Sequence, residues 1–278
     1  MASRLSVCLA FDFDTMAVWP LFGMTSGQAL SRGEFGATVG IGRILDLLKR
    51  HDIKATFYVP GFTALAYAVA ARRIRDEGHE IGFHGYMHES LEGLDEAGVR
   101  RTIDLGLETH HKVLGVRPVG YRTVGGEFGP HLIPLLVEYG FEYESTMGTK
   151  DFYPFPIRHG DRWTPDAPFQ WGQPTPLVGV PFSYGLDDMP NFEFVPGWAT
   201  NMKSPREFGQ HWQAEFAYAY DNCPGGIFTT DLHPQCIGRG SRIQMLEGLI
   251  ESMKQRDGVV FERTGDYVRR WVAEGAAS

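Results

Sequence analysis

The chain has 278 residues, 43% of them hydrophobic and 22% charged, the balance of an ordinary globular protein. Its net charge is -8 and its 26 Lys and Arg are scattered, which argues against a nucleic-acid surface, where clustered cations must neutralise phosphates. No run of 18 apolar residues occurs, so no membrane-spanning helix and no membrane partner are expected.

The opening "RLSVCLAFDFD" reads as a buried strand that ends at Asp12 and Asp14. Residues 15–40 are Gly- and Ser-rich and aperiodic, which predicts a long loop of the kind that serves as a lid. "GIGRILDLLKRHDI" places Ile41, Ile44, Leu45 and Leu48 on one helical face, and "KATFYVPG" is a β-branched and aromatic strand stopped by Pro-Gly. A helix over about 64–77 and the short strand "HEIGFH" follow. The alternation continues with a helix over about 95–114, the strand "RPVGYR", a helix over about 130–139 and the strand "FEYEST". Between 150 and 200 the pattern dissolves into a Pro- and aromatic-rich stretch in which "LVGVPFSY" is the best strand candidate. A helix over 204–221, the strand "GGIFTTDLH", a helix over 241–256, the strand "GVVFER" and a final helix complete the chain.

Strands alternating with helices indicate βα units and a parallel sheet. Seven or eight such units predict an α/β fold, a distorted (β/α) barrel, with an open doubly wound sheet as runner-up. No linker, repeat or low-complexity segment divides residues 1–278, so one domain is expected. Cys8, Cys223 and Cys236 lack CxxC or disulfide-framework spacing, and this sparse, odd count suits a reducing compartment. The N-terminus reaches its aspartates before an apolar export core could form, so a cytoplasmic location is expected.

In a (β/α) barrel, reactive groups lie at the C-terminal ends of strands. The polar residues there are Asp12 and Asp14, His84 and His88, Arg122, and Asp231 with His233. Two carboxylates on one strand face repel, so either the segment has left the sheet for water or something positive lies between them. His84 and His88 in "GFHGYMHES" share a face if Gly85 to His88 is a helical turn, and can then grip one metal; otherwise they are polar residues before a helix. Arg122 is suited to orient a carboxylate or bind an anion, or else to form a buried salt bridge. His233 ends a strand that Pro234 forces out of the sheet. There is no GxSxG elbow, no GxxxxGK loop and no GxGxxG after the first strand, so nucleophilic and nucleotide-binding alternatives have little support.

Together "AFDFDTMA", "FHGYMHE", "VGYR" and "DLHPQCIGR" resemble, in order, the motifs of the polysaccharide deacetylase (NodB-homology, carbohydrate esterase 4-like) family. "GHEIGFHGYMHE", "PVGYR" and "HPQCIGRGSR" look more narrowly like its intracellular branch of peptidoglycan-deacetylase-like, allantoinase-like and cyclic imide hydrolase members. The resemblance implies a distorted barrel holding a divalent metal, zinc first with cobalt, manganese or nickel as alternatives. It implies Asp14, His84 and His88 as ligands, Asp12 as general base, His233 as general acid and Arg122 positioning Asp12. It further implies a hydrolase of a non-peptide carbon–nitrogen bond.

A small soluble amide, cyclic imide or ureide is the expected substrate. An N-acetylated sugar or polysaccharide is the alternative, and a non-catalytic binding protein on the same scaffold is the reading from another class. Relatives are often homo-oligomers, so a dimer or tetramer is expected. Where relatives carry Pro and an aromatic after the arginine, this chain has "RTVGGEF", which predicts a flatter and more acidic wall at Gly125, Gly126 and Glu127. "GLDDMPNF" resembles a stretch that brings Asp to the site, here Asp187 and Asp188, with Met189 in place of an expected Trp. Trp19, after the aspartates, is expected to begin the substrate wall.

Overall fold

The computed structural model describes residues 3–275; the first two and last three residues of the expected 1–278 domain lie outside the described residues. The opening apolar run makes two strands instead of one, β1 (Leu5–Cys8) and β2 (Ala10–Asp12). The predicted parallel strands follow as β3 (Thr56–Val59), β4 (Glu80–Phe83), β5 (Gly120–Tyr121) and β6 (Tyr143–Glu144). Residues 150–200, which carried no periodicity, contain β7 (Phe155–His159), β8 (Arg162–Thr164), β9 (Ala167–Gln170) and β10 (Gln173–Gly179). β11 (Gly226–Thr229) and β12 (Val259–Phe261) complete the set.

Strands β2, β3, β4, β5, β6 and β10 are parallel neighbours in that order, and β7 runs antiparallel outside β10. β1 lies between β11 and β12. At Leu9 the chain changes partners. β2 then pairs with β3 on one side and with Leu232, beyond β11, on the other, where the Asp12 amide donates to the Leu232 carbonyl at 2.7 Å. The gap between β10 and β11 is closed by a bridge between Asp187 and Asp231, with the Asp188 amide donating to the Asp231 carbonyl at 3.0 Å. The ring is a distorted parallel barrel. Apart from β1, inserted between β11 and β12, its parallel strands follow one another in chain order, unlike the reversed order of the doubly wound alternative.

Alternation sorts the side chains. Phe11, Phe57 and Val59 face outward into a core shared with Ile44, Leu45 and Leu48 of the helix Ile41–Arg50, whose apolar face is as the spacing predicts. Ala10, Tyr58, Tyr143, Val178 and Ile227 pack inside. Gly82 and Gly120 make room for the two tyrosines: a Cβ on Gly120 would lie 2.0 Å from the Tyr143 ring, and one on Gly82 2.4 Å from that of Tyr58. The inward row of β2, β4 and β5 therefore continues upward from small residues to Asp12, His84 and Arg122.

The expected lid loop over 15–40 is instead helical: Thr15–Ala17, Val18–Leu21, Gly27–Phe35 and Gly36–Gly40 run on into Ile41–Arg50. Its apolar periodicity is hidden because the inward face is made of glycines. A Cβ on Gly33 would lie 2.3 Å from the Thr15 carbonyl oxygen, and one on Gly40 2.2 Å from that of Pro234. Close backbone approach, instead of side-chain burial, holds this helix down. Among the described residues no helix is long and apolar enough to cross a membrane. The three cysteines are free and buried.

Candidate metal centre and active site

Strand register brings the site together. Phe83 pairs with Tyr121, so the next residues, His84 and Arg122, stand side by side, and the Arg122 amide donates to the Phe83 carbonyl at 3.0 Å. Phe11 bridges to Leu232, which sets Asp12 beside Asp231 and His233. Asp14 lies beyond β2 in the turn leading to Thr15–Ala17, where Thr15 takes a φ of 58°. His84 and His88 meet with ring centroids 5.0 Å apart, but not through a helical turn. Gly85 (φ 72°) and His88 (φ 58°) both adopt the left-handed region, which folds the loop back on itself.

Asp14, His84 and His88 are all buried and form one group that could hold a cation. His84 Nδ1–H donates to the Arg122 carbonyl at 2.8 Å, so its Nε2 presents a lone pair, 3.5 Å from Asp14 Oδ1 and 3.3 Å from Asp12 Oδ2. His88 Nε2 and His233 Nε2 each lie 3.5 Å from Asp14 Oδ2. Neither Asp14 oxygen has a hydrogen-bond partner. A fully buried carboxylate with two oxygens lacking hydrogen-bond partners, facing imidazole nitrogens, fits a divalent ion. Burial lowers the pKa of His84 against the pull of Asp14, and burial with the nearby His84 and His233 lowers that of His88 well below the ordinary histidine value. Both are thus held in the neutral form that ligation needs. Burial also lifts the Asp14 carboxyl to about 7, while His84 and His233 pull it back.

Arg122 lies under the cluster, its guanidinium 4.3 Å over the Tyr58 ring. Nη1 donates to Asp12 Oδ1 at 2.8 Å and to Asp231 Oδ1 at 2.7 Å, while Nε donates to the Ser145 carbonyl at 3.1 Å. Burial lifts Asp12 to about 7 even against this cation. On the other side, the two oxygens of Asp188 accept from the His233 backbone amide at 3.0 and 3.1 Å, and Oδ1 accepts from its Nδ1–H at 2.7 Å. Burial opposes a charged His233, but the Asp188 hydrogen bond and the charges of Asp231, Asp188 and Asp14 prevail and hold its pKa well above the ordinary value.

These groups line one cavity of about 280 Å3, with Phe22, Glu127, Tyr184, Asp187, Met189 and Trp198 among its walls. Gly125 (φ 68°) and Gly126 (φ 84°) make the turn that brings Glu127 to the rim. Two expected substrate contacts are elsewhere. Trp19 is fully buried behind the wall under the Arg32 guanidinium at 4.0 Å, because the Val18–Leu21 turn points Val18 and Leu21 at the cavity instead. Asp188 is fully buried beneath His233 and does not face the cavity. Asp231, a strand-end carboxylate that opens the "DLHPQCIGR" motif but takes no role from it, shares Arg122 with Asp12.

A parallel-strand barrel whose mouth gathers a carboxylate and imidazoles around a gap for one cation is the architecture of a divalent-metal hydrolase. Residues 35–143 match the model of the family described as polysaccharide deacetylase. Over 97% of its length the chain is 30% identical to a peptidoglycan deacetylase of Helicobacter pylori, 98% of which is covered. It is also 28% identical to a peptidoglycan deacetylase-like protein of Gibberella zeae, over 91% of this chain and 81% of that one. Among solved structures, one from Mycobacterium smegmatis described as a polysaccharide deacetylase superposes with a TM-score of 0.86 at 32% identity, over 99% of this chain and 92% of that one. The PuuE allantoinase, at a TM-score of 0.82 and 22% identity over 99% of this chain and 93% of its own, shares the fold. The chain belongs to the polysaccharide deacetylase family, hydrolases of carbon–nitrogen amide bonds.

Proposed function

We propose that the protein removes the N-acetyl group of an amino sugar by hydrolysis. The observation that carries this reading is the pair of orphaned Asp14 oxygens facing imidazoles, next to an Asp12 clamped by Arg122. Asp14, His84 and His88 would hold the divalent ion, which supplies Lewis acidity and a more acidic water. Asp12 accepts the proton of the attacking water, and Arg122 keeps its Oδ1 fixed so that the other oxygen faces the reaction. His233, kept charged by Asp188, donates from Nε2 to the departing nitrogen as the C–N bond breaks, so that it leaves as a neutral amine and not as a strongly basic amide anion. A new C–O bond replaces it, giving acetate and the free amine.

Similarity to the Helicobacter pylori peptidoglycan deacetylase over nearly the whole chain supports the sugar amide over other amides. A second reading, a small amide, cyclic imide or ureide, is favoured by the size of the cavity, about 280 Å3. The test is acetate release from N-acetylglucosamine oligosaccharides by chelated protein reloaded with zinc, cobalt, manganese or nickel, run beside cyclic imides and ureides. Turnover of the saccharides that vanishes in His84→Ala together with retained metal is expected. Turnover confined to imides or ureides would replace the sugar reading, and full activity in metal-free His84→Ala would remove the metal from the reaction.

A further inference from the structure

The helical run over 27–50 and the turn before the helix Gly240–Lys254 meet backbone to backbone: a Cβ on Gly238 would lie 2.6 Å from the Gly40 Cα. That approach gathers Arg32, Arg239 and Arg242 at one groove of about 560 Å3, which shares no lining residue with the catalytic cavity. Glu193 is the one carboxylate among the described residues that line it, and two of the three cations already use it. It accepts from Arg32 Nε at 3.1 Å and lies 3.5 Å from Arg242 Nη1. Arg32 also donates to the Phe194 carbonyl at 2.9 Å, and Arg242 donates to those of Phe192 at 2.7 Å and Cys236 at 3.1 Å.

Arg239 is different. Its guanidinium lies 3.6 Å over the Phe35 ring and, among the described residues, makes no hydrogen bond and no ion pair. Burial lowers its pKa, and the charges of Arg242 and Arg32 add to this against the pull of Glu193. Three guanidinium groups against one carboxylate leave a local excess of two positive charges, on a chain whose net charge is -8. The helix Gly240–Lys254 adds the positive end of its dipole, since it starts directly after Arg239 and no side chain caps it. Beside the cations, Phe194 and Met202 are 50% and 58% exposed and give the groove an apolar rim.

We infer that this groove, apart from the catalytic centre, binds a small molecule through a phosphate monoester, with the phosphate on Arg239 between its two neighbouring arginines and the organic part against Phe194 and Met202. A phosphate dianion matches the excess of two charges, whereas a carboxylate leaves one of them uncompensated. A guanidinium held flat on an aromatic ring keeps its fork of N–H donors in place, and that fork fits two phosphate oxygens at once. The inference is independent of which amide the catalytic cavity hydrolyses.

The test measures calorimetric Kd for phenyl phosphate and benzoate at constant ionic strength, on metal-loaded wild type, Arg239→Gln and His84→Ala. The last variant is included because phosphates also bind metal ions, and it is expected to lose the catalytic one. Phenyl phosphate should bind wild type about tenfold more tightly than benzoate, and Arg239→Gln should weaken it about tenfold while His84→Ala leaves it unchanged. A second measurement needs no variant: phenyl phosphate should slow the modification of Arg239 by phenylglyoxal in wild type, mapped by peptide mass spectrometry. Binding kept in Arg239→Gln but lost in His84→Ala, or an unaltered rate of Arg239 modification, overturns the site. Equal affinity for benzoate overturns the phosphate. Sedimentation with phosphatidate vesicles, without binding of phenyl phosphate, overturns the soluble ligand in favour of a lipid headgroup.

Discussion

Replacing Arg122 by Met tests whether the buried guanidinium is the charge that allows two carboxylates to share this site. The substitution keeps most of the apolar stem and removes donors to Asp12 at 2.8 Å, Asp231 at 2.7 Å and the Ser145 carbonyl at 3.1 Å, as well as the cation over Tyr58. Removing one member of a buried ion pair costs about 3–5 kcal/mol when the partner stays charged. Here the partner has an escape, because Asp12 already titrates near 7 with the cation in place. Its folded pKa lies above the unfolded carboxylate value, so the folded form binds the proton more tightly. Stability from this group is therefore full at low pH and is lost as pH rises through the folded pKa. Without Arg122 that pKa climbs further, and each unit adds about 1.4 kcal/mol to the loss. Urea unfolding of chelator-treated protein, followed by far-UV circular dichroism, should show Arg122→Met less stable by about 1–2 kcal/mol at pH 5.5 and by about 4 kcal/mol at pH 8.5. Adding Asp231→Asn should recover part of the loss at the higher pH. A loss that does not change with pH, or one below about 1 kcal/mol at pH 8.5, would refute the view that Arg122 neutralises these carboxylates.

Three further outcomes are expected. Asp14→Asn should raise the stability of chelated protein by about 2 kcal/mol at pH 8 and less at pH 5, while abolishing metal retention, because a buried, partnerless carboxylate titrating near 7 burdens the folded state increasingly as pH rises; urea midpoints and metal analysis check both. Asp188→Asn should lower turnover of alkyl amides about a hundredfold and spare substrates with good leaving groups, and equal loss on both would show that His233 does not protonate the leaving nitrogen. Gly33→Ala would stabilise an ordinary exposed helix by about 1 kcal/mol, but here the methyl would meet the Thr15 carbonyl, so a loss of about 2 kcal/mol is expected in the urea midpoint.

Much of this molecule is legible in its residues. The barrel strands are short and buried, and they alternate with helices whose apolar spacing is regular, so the parallel βα alternation follows from pattern, whereas the split of the opening run into β1 and β2 does not. Asp12, Asp14, His84, His88, Arg122 and His233 converge because each sits at or just past a strand end. Residues 15–40 mislead because a helix seated on bare backbone has glycines where periodicity needs leucines. β7 to β10 mislead for a different reason: with Pro156, Pro168, Pro174 and Pro176 inside them and most side chains exposed, they lack the buried alternation that marks a strand. The same opacity extends to the walls. Whether Trp19 or Trp198 meets the cavity depends on the direction of a single turn, and whether Asp187 or Asp188 does so depends on a bridge to Asp231 formed across more than forty residues of chain.

The change of partners at Leu9 also sets the order of events when the chain is made. β1 precedes the other described strands along the chain, yet it pairs only with Gly226–Thr229 and Val259–Phe261, and Asp12, held on one side by β3, gains its second neighbour only once Leu232 is available. A polypeptide extended at about 5–20 residues per second must therefore hold its opening strand unpaired for many seconds. Pairings so distant along the chain are slow to close and leave apolar edges exposed meanwhile. The cluster of carboxylates and imidazoles is therefore complete only once Asp231 and His233, more than a hundred residues beyond Arg122, have joined it.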